Sequence, residues 1–576
     1  MNSLKGGDIL PFLYTGLFES LLYTPPPMRK KRSAAERNKK YQFTFLNGSD
    51  SSGSGNGSEL GPHWVPMYTT QGTQLHTEFT REDFETAMLN LIEEPGINSN
   101  AIQRADILER NLYELTKGSS DQKGCSLLQL KSSESQAIEP PQGKINALNF
   151  NDTVPRHVEL PPQLGLYVKH EIVRRVIPRN PFKDPLINQT CLILNSSNDT
   201  TTSLVVLLPH LEDPFTSSDE WPYYLPNAKA VALLFKQEKS LSIHYLPFPK
   251  TDPMTFQDET NRVARIAYKL LRTSFKHSLG THNGYEKRVN HDLVVDRAKL
   301  QNRYLLLKQK YSEFLMSHWV ESTDPKKHVF EDLLIAAFLM ELWLQRYGDG
   351  LAEKLQFRDL GCGNGVLVFI LISEGLKGYG VDARERKTWS VFPSHVRDCL
   401  KERVIVPSIL LTGDTTDELD QLLAAASPEG LETTEYPENT FLIGNHSDEL
   451  TCWIPLLGYP FCVIPCCSHN LSGQKCRYNV RKCKSFQSTS FNPGNSTYAG
   501  LVDHVDHLAE KAGWFVEREM LRIPSTRNAA IIGFKTPEGS PRPASSVVMD
   551  IIAEEGGASS WVKNAVKLMK QGPRSH

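Results

Sequence analysis

Long apolar runs are missing from this 576-residue chain. A membrane-spanning helix needs about 18–20 consecutive apolar residues. The longest run, Leu333 to Met340, has eight, and the next, Val366 to Ile372, has seven. Both suit buried elements, and no membrane partner is expected. A signal peptide is not expected either. Ile9 to Tyr23 is mildly apolar but is broken by Gly, Pro, Glu and Ser, and it lacks a strongly basic start and a small-residue cleavage site. An excess of one charge is also missing. The 64 Lys/Arg against 66 Asp/Glu leave a formal charge of -2, which excludes a uniformly basic nucleic-acid coat and an acidic tail protein. Disulfide spacing is absent too. Seven of the ten cysteines lie between Cys399 and Cys483, a pattern that predicts reduced thiols in the cytosol or nucleus. Arg29-Lys30-Lys31-Arg32 reads either as a nuclear address or as a solvated basic stretch.

With 39% apolar and 23% charged residues, the chain reads as globular with some disordered parts, and its length predicts at least two cores. Residues 1–62 combine Pro25-Pro26-Pro27, the basic cluster and a Ser/Gly/Asn tract, so this segment is expected to be disordered. Residues 63–154 read as short helices and polar linker. A capping-box spacing at Thr80-Arg81-Glu82-Asp83 opens a helix to about Ile92, and the linker runs from about Gly118 to Asn151. Residues 155–260 read as a mixed α/β accessory domain, with strands at Thr190 to Leu194, Ser203 to Leu208, Ala230 to Phe235 and Leu241 to Leu246. Residues 261–324 are helical and basic.

The segment 325–536 alternates strands and helices. It opens with a helix, Pro325 to Tyr347, capped by Asp324. Strands follow at Gln356–Leu360, Gly378–Val381, Ile405–Thr412, Thr440–Gly444, Phe461–Ile464, Trp514–Leu521 and Ala529–Phe534. Alternation predicts a doubly wound, mostly parallel seven-stranded sheet. Only Arg522 to Asn528 separates the last two strands, too little for a helical crossover, so they form an antiparallel hairpin. Residues 537–576 read as a flexible tail with at most one short helix near Trp561 to Met569.

The chemistry concentrates at Asp359-Leu360-Gly361-Cys362-Gly363-Asn364-Gly365, between the first strand and an apolar helix. Alternate glycines allow a ligand close to the backbone, and the helix start offers unpaired N–H groups. A phosphate loop would need Gly-Lys-Ser/Thr, and a dinucleotide loop would need glycine at Val366. The observed Gly-x-Gly-x-Gly with an acid two residues before it is the S-adenosylmethionine spacing. Asp359 would face the cationic amino group. Asp382, ending the second strand, would hold the ribose hydroxyls, and Asp414, after the third, would meet the adenine. The alternative is an ordinary strand-to-helix turn. The expected fold is therefore a class I, Rossmann-like S-adenosylmethionine-dependent methyltransferase domain with an N-terminal mixed α/β accessory region.

The fourth strand ends Ile443-Gly444-Asn445-His446-Ser447-Asp448-Glu449-Leu450 and borders the transferred methyl. It is not the Asn/Asp-Pro-Pro-aromatic box of exocyclic-amine methylation. Asp448 and Glu449 are candidate proton acceptors, or helix-start acids with no chemical role. The fifth strand ends Pro465-Cys466-Cys467-Ser468-His469. Cys466 or Cys467 could attack a pyrimidine ring, or Cys466, His469, Cys476 and Cys483 could bind zinc. Their spacing is not a standard ligand set, buried structural thiols are the third reading, and no metal is assigned.

Arg262, Arg265, Lys269, Arg272 and Lys276 recur every three or four residues beside an apolar stripe of Val263, Ile266 and Leu270. Lys287 and Arg288 follow. Residues 261–310 hold twelve Lys/Arg and three Asp/Glu, +9, with Tyr, Phe and His interleaved. Such a face suits an RNA backbone, and a merely solvated helix face is the alternative. Residues 411–450 hold ten acids and no base, so the neutral total is a cancellation.

Taken together, Val176-Ile177-Pro178-Arg179-Asn180-Pro181, His291-Asp292, Val320 to Pro325, Lys327 to Asp332, Asp359 to Gly365, Asp382 with Arg384 and Arg386, Ile443 to Leu450 and Pro465-Cys466-Cys467 resemble one family. It is the eukaryotic tRNA uridine 2′-O-methyltransferase family that modifies uridine-44 of serine tRNA. The likeness spans roughly Arg156 to Lys535. Thr451-Cys452-Trp453 departs from the family's Thr-Pro-Trp. The resemblance implies methyl transfer from S-adenosyl-L-methionine to a ribose 2′ oxygen in serine tRNA and a cytoplasmic location, and cofactor contacts are expected from Asp359, Gly361, Gly363, Asn364, Gly365, Asp382, Arg384, Asp414 and Asn445. Pyrimidine carbon-5 methylation through Cys466 or Cys467, and an inactive tRNA-binding scaffold, are the competing readings.

Overall fold

Strand pairing is a backbone property, so polar sequence can form it as readily as apolar sequence when it lies at a sheet edge. The computed structural model shows this in the first half of the chain. It describes residues 41–46, 58–117, 125–134, 147–211, 222–249, 251, 253–285, 291–411, 430–481, 496–534 and 543–570. Ten strands make one sheet: β1 (Thr44–Phe45), β2 (Val65–Thr69), β3 (Ile102–Lys117), β4 (Cys125–Glu134), β5 (Ala147–Leu148), β6 (Leu166–Pro178), β7 (Leu186–Ser196), β8 (Thr202–Pro209), β9 (Ala230–Lys236) and β10 (Ser240–Leu246). Their order is β1-β2-β10-β9-β8-β7-β6-β3-β4, with β5 beside β7. Every pair is antiparallel except β5 with β7.

Two expectations change here. The stretch read as polar linker contains β4. It is the terminal strand of the sheet, with Leu128 and Leu130 each 51% exposed, so its composition carries no core signal. The N-terminal segment supplies β1, which pairs with β2, and Leu60, which is buried.

Helices α1 (Arg81–Glu93) and α2 (Arg262–His282) cover one sheet face. Phe84 and Leu91 of α1 join Val263, Leu271 and Phe275 of α2 in a core with Val205, Leu233 and Phe235. Thr80 caps α1 as its spacing predicts: its hydroxyl accepts from Asp83 N at 3.1 Å, and the Asp83 carboxylate accepts from Thr80 N at 2.9 Å. The buried line of α2 runs through Val263, Ala267 and Leu271, whereas Ile266 and Leu270 are only half-buried.

The second sheet contains β11 (Gln356–Leu360), β12 (Lys377–Asp382), β13 (Leu400–Glu402), β16 (Thr440–Asn445), β17 (Phe461–Ile464), β18 (Phe515–Met520) and β19 (Ala529–Phe534). Its order is β13-β12-β11-β16-β17-β19-β18. The first five run parallel, and β19 is antiparallel to both β17 and β18. The third strand is therefore Leu400–Glu402, not Ile405–Thr412. Pro407, with no N–H to give, follows β14 (Val404–Val406), which pairs instead with β15 (Leu431–Thr433) in a separate two-stranded sheet.

One face of the seven-stranded sheet carries α3 (Arg297–Ser317), α4 (Pro325–Tyr347) and α5 (Val366–Ser373), whose apolar residues form a core with Phe357, Phe441 and Ile532. The run Leu333 to Met340 lies in α4 and the run Val366 to Ile372 in α5. The opposite face packs on α6 (Thr497–Lys511), α7 (Ser545–Glu554) and α8 (Trp561–Lys570). The tail is thus not a flexible appendage between 543 and 570. Val548, Ile551 and Ile552 are buried, and Trp561 is 3% exposed with its indole donating to Ile405 O at 3.1 Å. No helix among the described residues is long and apolar enough to cross a membrane.

The basic region 261–324 is divided between the two units. Helix α2 belongs to the first core, and α3 packs on α4 in the second. Arg104, 2% exposed on β3, joins the units by donating to Gln301 Oε1 at 3.2 Å and Asn302 Oδ1 at 2.9 Å. The hairpin β18–β19 grips the start of the second unit. Glu519, 3% exposed, accepts from the backbone N–H groups of Asp292, Leu293 and Val294 at 2.7–2.9 Å. Losing an acceptor shared by three part-buried N–H donors costs on the order of 1–3 kcal/mol. Glu519→Ala should lower unfolding stability by that amount in denaturant titrations followed by tryptophan fluorescence. A loss under about 0.5 kcal/mol would show that these bonds do not hold the seam.

Candidate active site

β11 ends at Asp359-Leu360, and the chain then turns through Gly361, Gly363 and Gly365 with φ of 82°, 52° and 75°. Only glycine adopts these angles without strain. At Gly365 a Cβ would also lie 3.1 Å from Trp389 and Leu400. Trp389 locks the turn from outside, its indole donating to Gly363 O at 2.9 Å. Asn364 Oδ1 accepts from Val366 N at 2.8 Å at the start of α5. Asp382, at the end of β12, accepts from Gly363 N at 2.9 Å and Arg384 N at 3.2 Å. The turn and the second strand's acid are thus one hydrogen-bonded unit.

Helix α4 adds two acids that pattern reading passed over. Asp332 Oδ1 accepts from Asn445 Nδ2 at 3.0 Å, and Glu331 Oε1 lies 3.1 Å from His446 Nε2. Asn364 also bonds to Asp332. Just upstream, Glu321 accepts from Thr388 N at 3.0 Å and Thr388 Oγ1 at 3.1 Å. The segment 321–332 therefore touches the loops after β11, β12 and β16. A signal for this was present: Asp332 sits in the buried phase of α4, one residue before Leu333 and four before Ala336, where a charge is out of place.

The electrostatics follow from crowding. Burial, then the neighbouring Glu331, pushes the Asp332 carboxyl up to about 7. Burial, then Asp332 and Asp382, holds Asp359 well above the usual carboxylate range. Burial also raises Asp382, against the pull of Arg386 and the two backbone N–H groups. Asp359 Oδ1 and Asn445 Oδ1 are buried without a hydrogen-bond partner among the described residues. Asp359 and Asp332 have no ion pair there either. The side-chain set around the glycine turn is rich in acceptors. It fits a ligand carrying a cation and N–H donors, as S-adenosylmethionine does.

Beyond Asn445 the loop after β16 makes a short turn, Asp448–Leu450. His446 and Asp448 both take left-handed backbone, φ 54° and 44°. Asp448 Oδ1 accepts from Cys466 Sγ at 3.0 Å. Glu449 lies 4.0 Å from His469 Nε2, and His469 is 3% exposed. Its hydrogen bond to Cys467, then burial and the Asp448 carboxylate, pushes the Cys466 thiol up, while accepting that bond holds Cys467 down. The alternative zinc set weighed from sequence, Cys466, His469, Cys476 and Cys483, does not assemble among the described residues. Cys466 meets Cys467 and Asp448, His469 turns to Glu449, Cys476 lies with Tyr478, and Cys483 is outside the described residues.

The basic track is narrower than its sequence. Arg265, Lys269 and Lys276 are exposed on α2. Arg262 donates to the backbone carbonyls of Tyr223 and Leu225 and stacks over the Tyr223 ring, and Arg272 lies over Tyr41. On α3, Arg297, Arg303 and Lys310 pair with Glu94, Glu341 and Glu374. Of the interleaved rings, Phe275 is buried, Tyr268, His277, His291 and Tyr304 are half-buried, and His282 and Tyr285 are exposed. Lys287, Arg288 and Asp414 lie outside the described residues.

Comparison with known proteins agrees with this division. Residues 39–288 match the family described as TRM44-like, N-terminal bet v1-like domain, and residues 294–407 match the family described as predicted AdoMet-dependent methyltransferase. The chain is 48% identical to the tRNA (uracil-O(2)-)-methyltransferase of Kluyveromyces lactis over 90% of this chain and 98% of that one. It is 48% identical to the protein of the same name from Saccharomyces cerevisiae, over 90% and 95% of the two chains. The Schizosaccharomyces pombe protein is 36% identical over 87% and 92%.

The raised Asp332 has a stability consequence with a definite sign. Between about pH 4 and 7 the native state holds a proton that the unfolded chain releases. The stability this group contributes is complete below about pH 4 and is lost as pH rises through 7. Asp332→Asn removes the titration. Its stability relative to the wild type should rise by up to about 1.4 kcal/mol per pH unit across that window, measured by denaturant unfolding without cofactor. A pH-independent difference would contradict the assignment.

Proposed function

Because this chain belongs to the tRNA (uracil-O(2)-)-methyltransferase family and is an S-adenosylmethionine-dependent methyltransferase, we propose that it methylates the ribose 2′ oxygen of uridine-44 in serine tRNA. One observation carries the reading: a buried, acceptor-rich cluster of Asp332, Asp359 and Asn445 set against a glycine turn. The strand order third-second-first-fourth-fifth-seventh-sixth supports the finer assignment to the class I, Rossmann-like fold.

In this reading Asp359 and Asn445 receive the amino group of the cofactor, with Asp332 holding Asn445 in place. Gly361, Gly363 and Gly365 let it approach the backbone, and Asn364 fixes the turn. Asp382, with Arg384 beside it, faces the ribose hydroxyls. When bound, S-adenosylmethionine supplies a sulfonium-activated methyl carbon. The protein's part is to align the 2′ hydroxyl with that carbon, exclude water and take the hydroxyl proton. Asp448 is engaged by the two thiols. Of the two candidate acids, Glu449, beside His469, is assigned the proton.

The competing readings weaken on specific grounds. The relatives are named for methylation at oxygen, which disfavours ring-carbon attack by Cys466 or Cys467. The three turn glycines, with Asp359 and Asp382 at their strand ends, disfavour an inactive scaffold. A cytoplasmic location agrees with cysteines that are free among the described residues.

Purified protein with labelled cofactor and serine tRNA should yield 2′-O-methyluridine at position 44, read by nucleotide mapping. In the same assay Glu449→Gln should lower kcat by about a hundredfold or more while cofactor affinity holds. Label on a base, or on another nucleotide, would overturn the assignment. For the RNA contact, Arg265→Ala with Lys269→Ala should reduce the slope of log affinity against log salt by roughly one to two. An unchanged slope would remove α2 from the interface.

A further inference from the structure

β16 and β17 run side by side in parallel register, with Asn445 opposite Ile464, so the chain beyond each strand emerges at the same edge. The β17 continuation ends in two adjacent cysteines, Cys466 and Cys467. The β16 continuation turns back through left-handed His446 and Asp448, two non-glycine residues in a conformation that L side chains rarely adopt. That turn aims the Asp448 carboxylate at both thiols. One ligand atom from each of the three residues lies within 4.8 Å of the other two, and no other such group of three occurs among the described residues.

We propose that Asp448, Cys466 and Cys467 bind a zinc ion through one carboxylate oxygen and two thiolates, leaving the fourth position to an oxygen ligand. The ligand set selects the metal. Two sulfurs favour a soft or borderline cation over magnesium or calcium, and three protein ligands with an open position are the pattern of a zinc site that exchanges its fourth ligand. The separations fit. A tetrahedral zinc with bonds of about 2.3 Å to sulfur and 2.0 Å to oxygen places its ligand atoms roughly 3.5–3.8 Å apart. The Cys466 Sγ to Asp448 Oδ1 distance is 3.0 Å, and opening it by a few tenths of an ångström admits the ion.

The proton balance is explicit. Cys466 donates a hydrogen bond to Asp448, and the metal takes the place of that proton. Binding converts both thiols to thiolates, so two protons leave. Three anionic ligands around a doubly charged ion leave one negative charge. Arg527 stands beside it, its guanidinium donating to Cys466 O.

The test uses the full chain and zinc itself. Protein dialysed against zinc-free buffer should retain about one zinc per chain by mass spectrometry of the metal, and affinity should fall as pH is lowered. Cobalt exchanged into the site should show thiolate-to-metal absorption in the near ultraviolet. Cys467→Ser and Asp448→Asn should each weaken zinc binding about tenfold or more. Cys399→Ser, a half-buried thiol outside the cluster, should leave it unchanged. No zinc retained or taken up, with no cobalt–thiolate band in the wild type, would overturn the proposal, whatever the folding of the variants. Equal losses in Cys399→Ser and Cys467→Ser would overturn it too, as binding to thiols at large.

Discussion

Three carboxylates share the buried carboxyl edge of one parallel sheet without an opposing charge at Asp332 or Asp359, and the arrangement around them answers to that repulsion. Burying one carboxylate already favours its protonated form, and a second within a few ångströms adds to the effect. Asp359 and Asp332 are fully buried together, and both are pushed up. Such a cluster persists because the structure around it is over-determined. Backbone N–H groups hold Asp382, Asn445 and Asn364 hold Asp332, and Trp389 closes the glycine turn. The unsatisfied acceptors that remain set the chemistry of what can bind: a cation with hydrogen-bond donors.

The rest of the second unit serves to keep that edge assembled. Helix α4 is apolar along most of its length because it packs on the sheet, yet its first turns carry Glu331 and Asp332 to the loops after β11 and β16. Glu321 does the same for the loop after β12. The end of β16 and the end of β17 are parallel neighbours, so Asn445, Glu449 and the paired cysteines fall along one rim.

The ten-stranded sheet contributes in another way. It carries α2 with its exposed Arg265, Lys269 and Lys276, and it is tied to the second unit through Arg104 and Glu94. On α3, cations that look equivalent in sequence are matched to glutamates of neighbouring elements. A charge count along the chain sees twelve cations, whereas the folded surface offers fewer, because partners far apart in sequence neutralise the others.

What the sequence determined by itself is local. The glycine turn, its leading Asp359, the acid ending β12, the capping box at Thr80 and the closing hairpin are all written in neighbouring residues, since dihedral freedom, hydrogen-bond reach and loop length act over a few positions. Tertiary structure alone decided the rest. Strand β4 pairs at an edge where composition carries no core signal, and the expected third strand gives way to β13 while β14 pairs with β15 in a separate sheet. The tail helices are recruited by apolar contacts to a distant sheet face. Asp332 reaches Asn445 across 113 positions, and Asp448 reaches Cys466 across 18. Burial and like-charge proximity, which set what these groups do, are properties of that three-dimensional neighbourhood and have no counterpart in residue order.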